Sequence, residues 1–377
     1  MNKQLIELRQ TLHRYPEVSG NENETAVRIK QFISTYNPTE IIEHIGGTGL
    51  ASIYRFINPG PCIAIRCELD ALPIQEQNNF GHKSTVDSVS HKCGHDGHMT
   101  IVAGLAEWLE HKSIDKGTVI LLFQPAEETG KGAEAMLADK RLMELNIDYM
   151  FALHNIPGEK LHDILIMESS FSAEVISFNL QLSGKESHAS EPEKGINPAL
   201  AIAEIINAFE QLMNRDERAT NFRLLTPVYS NLGQKAYGIS PASAELHYTV
   251  RTWSTNEMEK LKKEIVDISR EIADNQKLQF DINWFEHFPA SENNSNCNDI
   301  LKKAATSISA DWKIKETPFR FGEDFGRFSK VYQTAMFGLG AGINTPSLHD
   351  AAYDFPDELI ETGIGIFQAV IEEILRS

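Results

Sequence analysis

Residues able to bind metal ions or move protons recur along the chain in short clusters. Cys93, His95, Asp96 and His98 crowd into the segment Cys93-Gly94-His95-Asp96-Gly97-His98. Glu68 and Asp70 precede it, the adjacent pair Glu127-Glu128 follows, and His154 and His349 stand alone. Thiolate, imidazole and carboxylate are all donors suited to zinc-type ions. Two close ions held by about five to seven such groups can share a water, make it nucleophilic at neutral pH and polarise a substrate carbonyl. Each residue also has a plainer reading. A single histidine at a strand end is commonly structural, and two carboxylates in a loop are commonly solvated. Cys93 alone fits a small buried apolar residue or a thiol nucleophile activated by a histidine.

The apolar pattern says which elements must position these groups. Leu5, Leu8 and Leu12 mark a first helix that stops before Pro16, and a second helix is expected over about 22–36. Short apolar runs at about 62–66, 118–123, 149–153 and 334–338 read as strands of a buried sheet. Between them lies a helix over 99–111, with Ile101, Val102, Leu105 and Leu109 on one face. Such alternation argues a layered α/β domain. Glu68 and Asp70 then follow the first strand, Glu127 and Glu128 the second, and His154 the third. His349 lies in a loop after the last, and Cys93 and His95 precede a helix. Ligands of an open α/β sheet bind beyond the carboxyl ends of its strands, so one site could gather all of these residues.

From about residue 174 the pattern changes. Ile176, Phe178, Leu180 and Leu182 alternate with polar residues, as do Leu246, Tyr248 and Val250, and Leu278, Phe280, Ile282 and Trp284. These are strands with one wet face. A strand over 222–229 is broken late by Pro227. Helices are expected over 198–214, with Asn197 as cap, and from Ser254 to about Asn275, with Glu257 as capping partner. The order β-α-β-β-α-β is that of a split βαβ, ferredoxin-like unit. The expected organisation is an α/β catalytic domain, 1–170 and 289–377, into which an α+β domain, 171–288, is inserted. The polar stretch 291–299 marks the return.

Bulk properties narrow the function. A chain of 377 residues exceeds one small core, so two domains are the default. The formal charge of −18 opposes binding to nucleic acid or anionic lipid. No run of 18 apolar residues spans a membrane, and 1–11 reads as a helix rather than a signal peptide. A cytoplasmic location is the expectation. Cys62, Cys67, Cys93 and Cys297 form no CxxC pair, which argues against structural disulfides.

Seven segments together carry a family resemblance: Leu12-His13-Arg14-Tyr15-Pro16-Glu17, Glu68-Leu69-Asp70-Ala71-Leu72-Pro73-Ile74, Cys93-Gly94-His95-Asp96-Gly97-His98, Gln124-Pro125-Ala126-Glu127-Glu128, Ala152-Leu153-His154-Asn155, Gly322-Glu323-Asp324-Phe325 and Leu348-His349. In this order and spacing the chain resembles the M20 metallopeptidases. Their amidohydrolase branch is the nearest, with its hippurate hydrolases, indole-acetyl-amino-acid hydrolases and N-acetyl-diaminopimelate deacetylases. The resemblance implies two divalent ions (zinc, manganese, nickel or cobalt) bridged by Cys93 and held by His95, Glu128, His154 and His349. It implies Glu127 as the base that deprotonates a metal-bridged water, and His188 as a lid-domain donor to the carbonyl oxygen, reaching the neighbouring subunit's site in a homodimer formed through the lid. Asp70 would orient the ligand histidines; Asp96 and His98 either act alike or are structural, and Arg251 either holds a substrate carboxylate or is an exposed strand residue.

Two departures stand out. Glu68 occupies a place where the branch usually has Asp, and Tyr237-Gly238-Ile239-Ser240-Pro241 lacks the Asn-x-Ile-Pro expected in the lid. The implied reaction is hydrolysis of the amide bond of an N-acyl amino acid, a small molecule. Alternatives are a dipeptidase or carboxypeptidase on the same scaffold, a non-catalytic binding protein, or a cysteine hydrolase using Cys93.

Overall fold

The computed structural model describes residues 2–376. The chain begins with helices α1 (Lys3–Arg14) and α2 (Asn23–Ser34), then strands β1 (Glu40–Ile45), β2 (Gly49–Arg55) and β3 (Asn58–Glu68). Next come α3 (His95–His111), β4 (Lys116–Gln124), α4 (Gly132–Ala138), α5 (Lys140–Met143), β5 (Tyr149–Ile156) and β6 (Ile164–Ile166). A second stretch runs β7 (Glu174–Ser183), β8 (Ser187–His188), α6 (Ala199–Leu212), β9 (Arg223–Leu232), β10 (Ile239–Ser240), β11 (Ser243–Thr252), α7 (Thr255–Asn275) and β12 (Gln279–Phe288). The last elements are α8 (Ser295–Ser307), β13 (Trp312–Ile314), β14 (Gln333–Gly340) and α9 (Leu359–Arg376). Two compact units result. One comprises the chain up to Phe171, Ser291–Glu316 and the chain from Glu323 onward; the other comprises Ser172–Ala290 and Thr317–Gly322.

The first unit is mixed α/β around an eight-stranded sheet of order β1-β2-β4-β3-β5-β14-β6-β13. Four neighbours, β4, β3, β5 and β14, run parallel, so their carboxyl ends share one edge. β1, β2 and β6 join antiparallel, and the apolar runs of the sequence did not reveal them. Helix α3 begins at His95, four residues before the apolar periodicity starts. Its first turn, His95-Asp96-Gly97-His98, is polar yet buried, which periodicity cannot detect. Burial on every side down to Ala106 makes it a core helix rather than a surface one. It packs among Leu5 and Leu12 of α1, Ile63 and Ile65 of β3, and Ile366, Phe367 and Val370 of α9.

In the second unit β12, β7, β11 and β9 lie in that order and all neighbours are antiparallel. Ile176, Phe178, Leu180 and Leu182 meet Ile205 and Phe209 of α6 and Leu261 and Ile265 of α7. On the other sheet face Gln181 and Ser183 of β7 are exposed, as the alternation requires, while Val175 and Ser177 are buried. Asn197 accepts from the amide of Ala199, and Ser254 from that of Glu257. The side chain of Glu257, however, binds Arg223 rather than closing a capping box. Pro227 lies in edge strand β9, beside a register shift opposite His247 and Tyr248; an edge and a bulge are where a missing donor is tolerated. The polar stretch expected as a mere return runs into α8, whose first amides are capped by Asn294. Among the described residues no helix is long and apolar enough to cross a membrane.

Candidate metal centre

The parallel edge collects the predicted donors. Asp70 follows β3 by two residues, and Glu127 and Glu128 form a single 3-10 turn after β4. His154 was expected just past its strand. It lies inside β5, whose pairing with β14 continues from Gly338 opposite His154 to Gly340 opposite Ile156. His349 comes nine residues after β14 ends, and His95 opens α3 directly behind Cys93. Gly94 between them has φ 93, and a Cβ there would sit 2.6 Å from Asn155 Oδ1, so only glycine fits the approach of this turn to β5.

Six of these side chains come together. Donor atoms of Cys93, His95 and His154 lie within 4.8 Å of one another, as do those of Cys93, Glu128 and His349, and those of His95, Glu127 and Glu128. Cys93 Sγ is 3.5 Å from His154 Nε2, and His349 Nε2 is 3.7 Å from Glu128 Oε2. His95 Nδ1 donates to the carbonyl of Asp70 at 2.9 Å, and His154 Nδ1 to the carbonyl of Asn155 at 2.9 Å. Both rings therefore turn Nε2 toward the cluster.

The charge balance of the cluster calls for a cation. Burial, with Glu323 and Glu128 close by, pushes the Glu127 carboxyl well above the usual range. Burial likewise lifts Glu128 to about 7, against the pull of His95. It also pushes the Cys93 thiol up, and Glu128 and Glu127 add to this. Burial disfavours a charged His95, but Asp70, Glu68 and Glu128 together outweigh it and raise the imidazole to about 10. His95 Nε2 and Glu128 Oε1 are buried without a hydrogen-bond partner. An orphaned nitrogen and an orphaned oxygen beside the Cys93 sulfur are donors that fit a pair of divalent ions.

A second layer of buried groups holds these residues. Asp70 was expected to orient a ligand histidine through its carboxylate. Its backbone carbonyl is the nearer partner, since Oδ1 is 3.5 Å from His95 Nδ1. Asp70 Oδ2 instead accepts from the Glu128 amide at 2.9 Å and from Ser19 Oγ at 2.6 Å. Asp96 pairs with His13 at 2.8 Å rather than with a candidate ligand. His98 Nδ1 donates to Glu68 Oε2 at 2.6 Å, and the other oxygen of Glu68 accepts from Arg66. Arg66, fully buried, also donates to Gln124, Glu323 and Asp324. Sequence reading passed over Arg66 and Lys92. The available signal was a cation inside an apolar strand in the first case, and beside a candidate ligand cysteine in the second.

His188 and Arg251 belong to the other unit. His188 is exposed in β8, paired with Ile239 of β10. The amide of Ser190 donates to its Nδ1 at 3.2 Å, leaving Nε2–H as the outward donor. Arg251 Nε donates to the carbonyl of Arg320 at 3.0 Å.

Comparison with known proteins adds an independent finding. A sequence profile described as peptidase family M20/M25/M40 matches residues 64–373. Hippurate hydrolase of Campylobacter jejuni is 30% identical over 98% of this chain and 96% of its own. N-acetylcysteine deacetylase of Bacillus subtilis is 28% identical over 99% of this chain and 97% of its own. The crystal structure of the Bacillus subtilis YXEP protein, described as a dinuclear metal-binding peptidase of family M20, superposes with a TM-score of 0.87. It is 26% identical and covers 99% of this chain and 98% of its own.

Proposed function

This chain belongs to peptidase family M20/M25/M40 and is an amide-cleaving hydrolase, and from that premise we propose that it hydrolyses N-acyl amino acids, releasing a carboxylic acid and a free amino acid. The observation that carries the reading is the convergence of Cys93, His95, Glu128, His154 and His349 donors around the buried carboxyl of Glu127. Cys93 would be shared between two divalent ions, with the other four completing the set. Bound there, the ions supply Lewis acidity, activating a water and drawing electrons from the scissile carbonyl.

The protein's own groups do the rest. Glu127 accepts a proton from the attacking water as the new C–O bond forms. It then delivers that proton to the nitrogen as the C–N bond breaks. His188 donates from Nε2 to the developing oxyanion, and Arg251 takes the substrate carboxylate. In this reading residues 171–288 are an inserted ferredoxin-like lid. The edge of β9, with Val228, Tyr229 and Leu232 exposed, supports a homodimer formed through that lid.

The test is a hydrolysis screen of metal-stripped protein reloaded with zinc, manganese, nickel or cobalt. N-acetyl and N-benzoyl amino acids should turn over with a higher kcat/KM than dipeptides. Preference for dipeptides would make it a peptidase, and full activity in metal-free protein would overturn the mechanism.

A further inference from the structure

The segment that carries His349 is largely exposed before it reaches the buried Tyr353. Ile343, Asn344, Pro346, Ser347, His349 and Asp350 are all exposed. His349 nevertheless adopts φ 66, a left-handed conformation that a residue with a side chain keeps only where its surroundings impose it. Gln77 and Asn78 hold the carbonyls of Ala351 and Tyr353, but one residue contacts both ends of the stretch from His349 to Tyr353. The amide of His349 donates to the carbonyl of Lys92 at 2.8 Å. The ammonium of the same lysine donates to the carbonyl of Tyr353 at 2.7 Å. Lys92 thus grips the segment 349–353 at both ends, once through its backbone and once through its side chain.

The next residue in the chain is Cys93, whose Sγ lies with the donors of Glu128 and His349. Lys92 is fully buried and pairs with Glu76 at 2.6 Å. Glu76 is fixed in turn by His13 Nε2 at 2.9 Å and by the amide of Ser84 at 2.6 Å. An ammonium placed only to neutralise Glu76 would not need a bond to the far end of the His349 segment. A buried ion pair is also a poor source of stability by itself. What the arrangement does supply is a fixed separation between two candidate ligands far apart in sequence.

We infer that Lys92 is a positioning residue of the metal centre, stapling segment 349–353 so that the His349 imidazole meets the ion held by Cys93 and Glu128. This rests on the reading of Cys93 and His349 as ligands of one centre.

The experiment uses Lys92→Met, which keeps the aliphatic stem and removes both ammonium bonds. Because it leaves Glu76 short of a partner, Lys92→Met/Glu76→Gln is made beside it. Zinc and cobalt, each alone, are titrated into metal-free protein by calorimetry, with stoichiometry from elemental analysis and the visible spectrum of the cobalt form. The double variant is expected to fold, and to bind one ion as wild type does. Its affinity for the other should fall about ten-fold or more, as when a group supporting a ligand is lost. The cobalt spectrum should change, and kcat should fall with KM little altered. Two ions bound at wild-type affinity with an unchanged cobalt spectrum would overturn the inference. Failure of both variants to fold without metal would also overturn it, since Lys92 would then serve the fold alone. Wild-type protein that binds no ions would instead sink the metal-centre reading itself.

Discussion

The backbone amide of Asp324 donates to Glu127 Oε1 at 3.3 Å, joining residues 197 positions apart in the chain. Asp324 is itself held by Arg66, Gln124 and the amide of Ala133. Glu127 thus has one oxygen held by the Asp324 amide and the other 4.0 Å from His95, while Glu128 turns one oxygen toward His95 and the other toward His349. The two adjacent carboxylates should respond differently to the same change. Glu127→Gln should lower kcat about 10²-fold or more, the usual worth of a general base, with metal content near wild type. Glu128→Gln should lower metal content. Elemental analysis of both variants with steady-state kinetics decides it; the opposite pattern would mean that the roles are reversed.

Metal removal separates the proposed chemistry from a cysteine hydrolase. Burial and the Glu128 and Glu127 carboxyls hold the Cys93 thiol up in the absence of ions, so metal-free protein should alkylate slowly at this residue. Chelation should abolish turnover, and a divalent ion should restore it. Activity that survives exhaustive chelation but disappears on thiol alkylation would favour the nucleophilic thiol instead.

His188 offers an outward Nε2–H from the unit that holds none of the candidate ligands. His188→Ala should cut turnover about 10²-fold or more, as loss of one oxyanion donor does, without changing metal content. Mixing His188→Ala with Glu127→Gln protein should regain activity if each site is completed by a neighbouring subunit. A dead mixture after verified subunit exchange would place the whole site in one chain, and a fully active His188→Ala enzyme would remove this residue from the reaction.

His13 gives stability a pH dependence of defined sign. Burial opposes its charge, but Asp96, Glu76 and Asp354 together prevail and raise it from 6.5 to about 9. The folded chain therefore binds more protons here than the unfolded chain between these values, and stability must fall as pH rises through this window. The contribution is complete below about 6.5 and lost above about 9. Thermal melts of metal-free protein should show His13→Gln losing less stability than wild type from pH 6.5 to pH 9. Parallel curves would show that His13 does not titrate with folding.

The sequence was most readable where apolar runs and chemical residues alternate. β3, β4, β5 and β14 carry buried apolar runs, and a candidate ligand or its support lies in or after each. β1, reading Glu-Ile-Ile-Glu-His-Ile, mixes charge with apolar residues and buries only Ile45 fully, so neither a strand nor a helix period emerges. α8 is polar for its first turn and buries a narrow stripe of Cys297, Ile300, Leu301 and Ala304. The ion network of Arg66, Glu68 and Asp324 was hidden for another reason: its partners come from separate strands and turns, and only the fold pairs them. The same holds for Lys92 and the His349 segment. Residue types announce a ligand set more readily than the groups that aim it.

The insertion of β14 between β5 and β6 has a consequence for biosynthesis. A ribosome releases β5 and β6 long before residue 333 exists, and for that interval the sheet has a vacancy where β14 belongs. The whole of β7 to β12 emerges meanwhile, with nearly all its sheet and both its helices already in hand, so this unit should fold first. Nascent chains stalled before residue 333 should therefore resist protease over Ser172–Ala290 while β5 remains cleavable. Cys93, His95 and Glu128 are all translated early, yet the fifth candidate ligand is His349, so loading of the complete centre must wait until that residue has emerged.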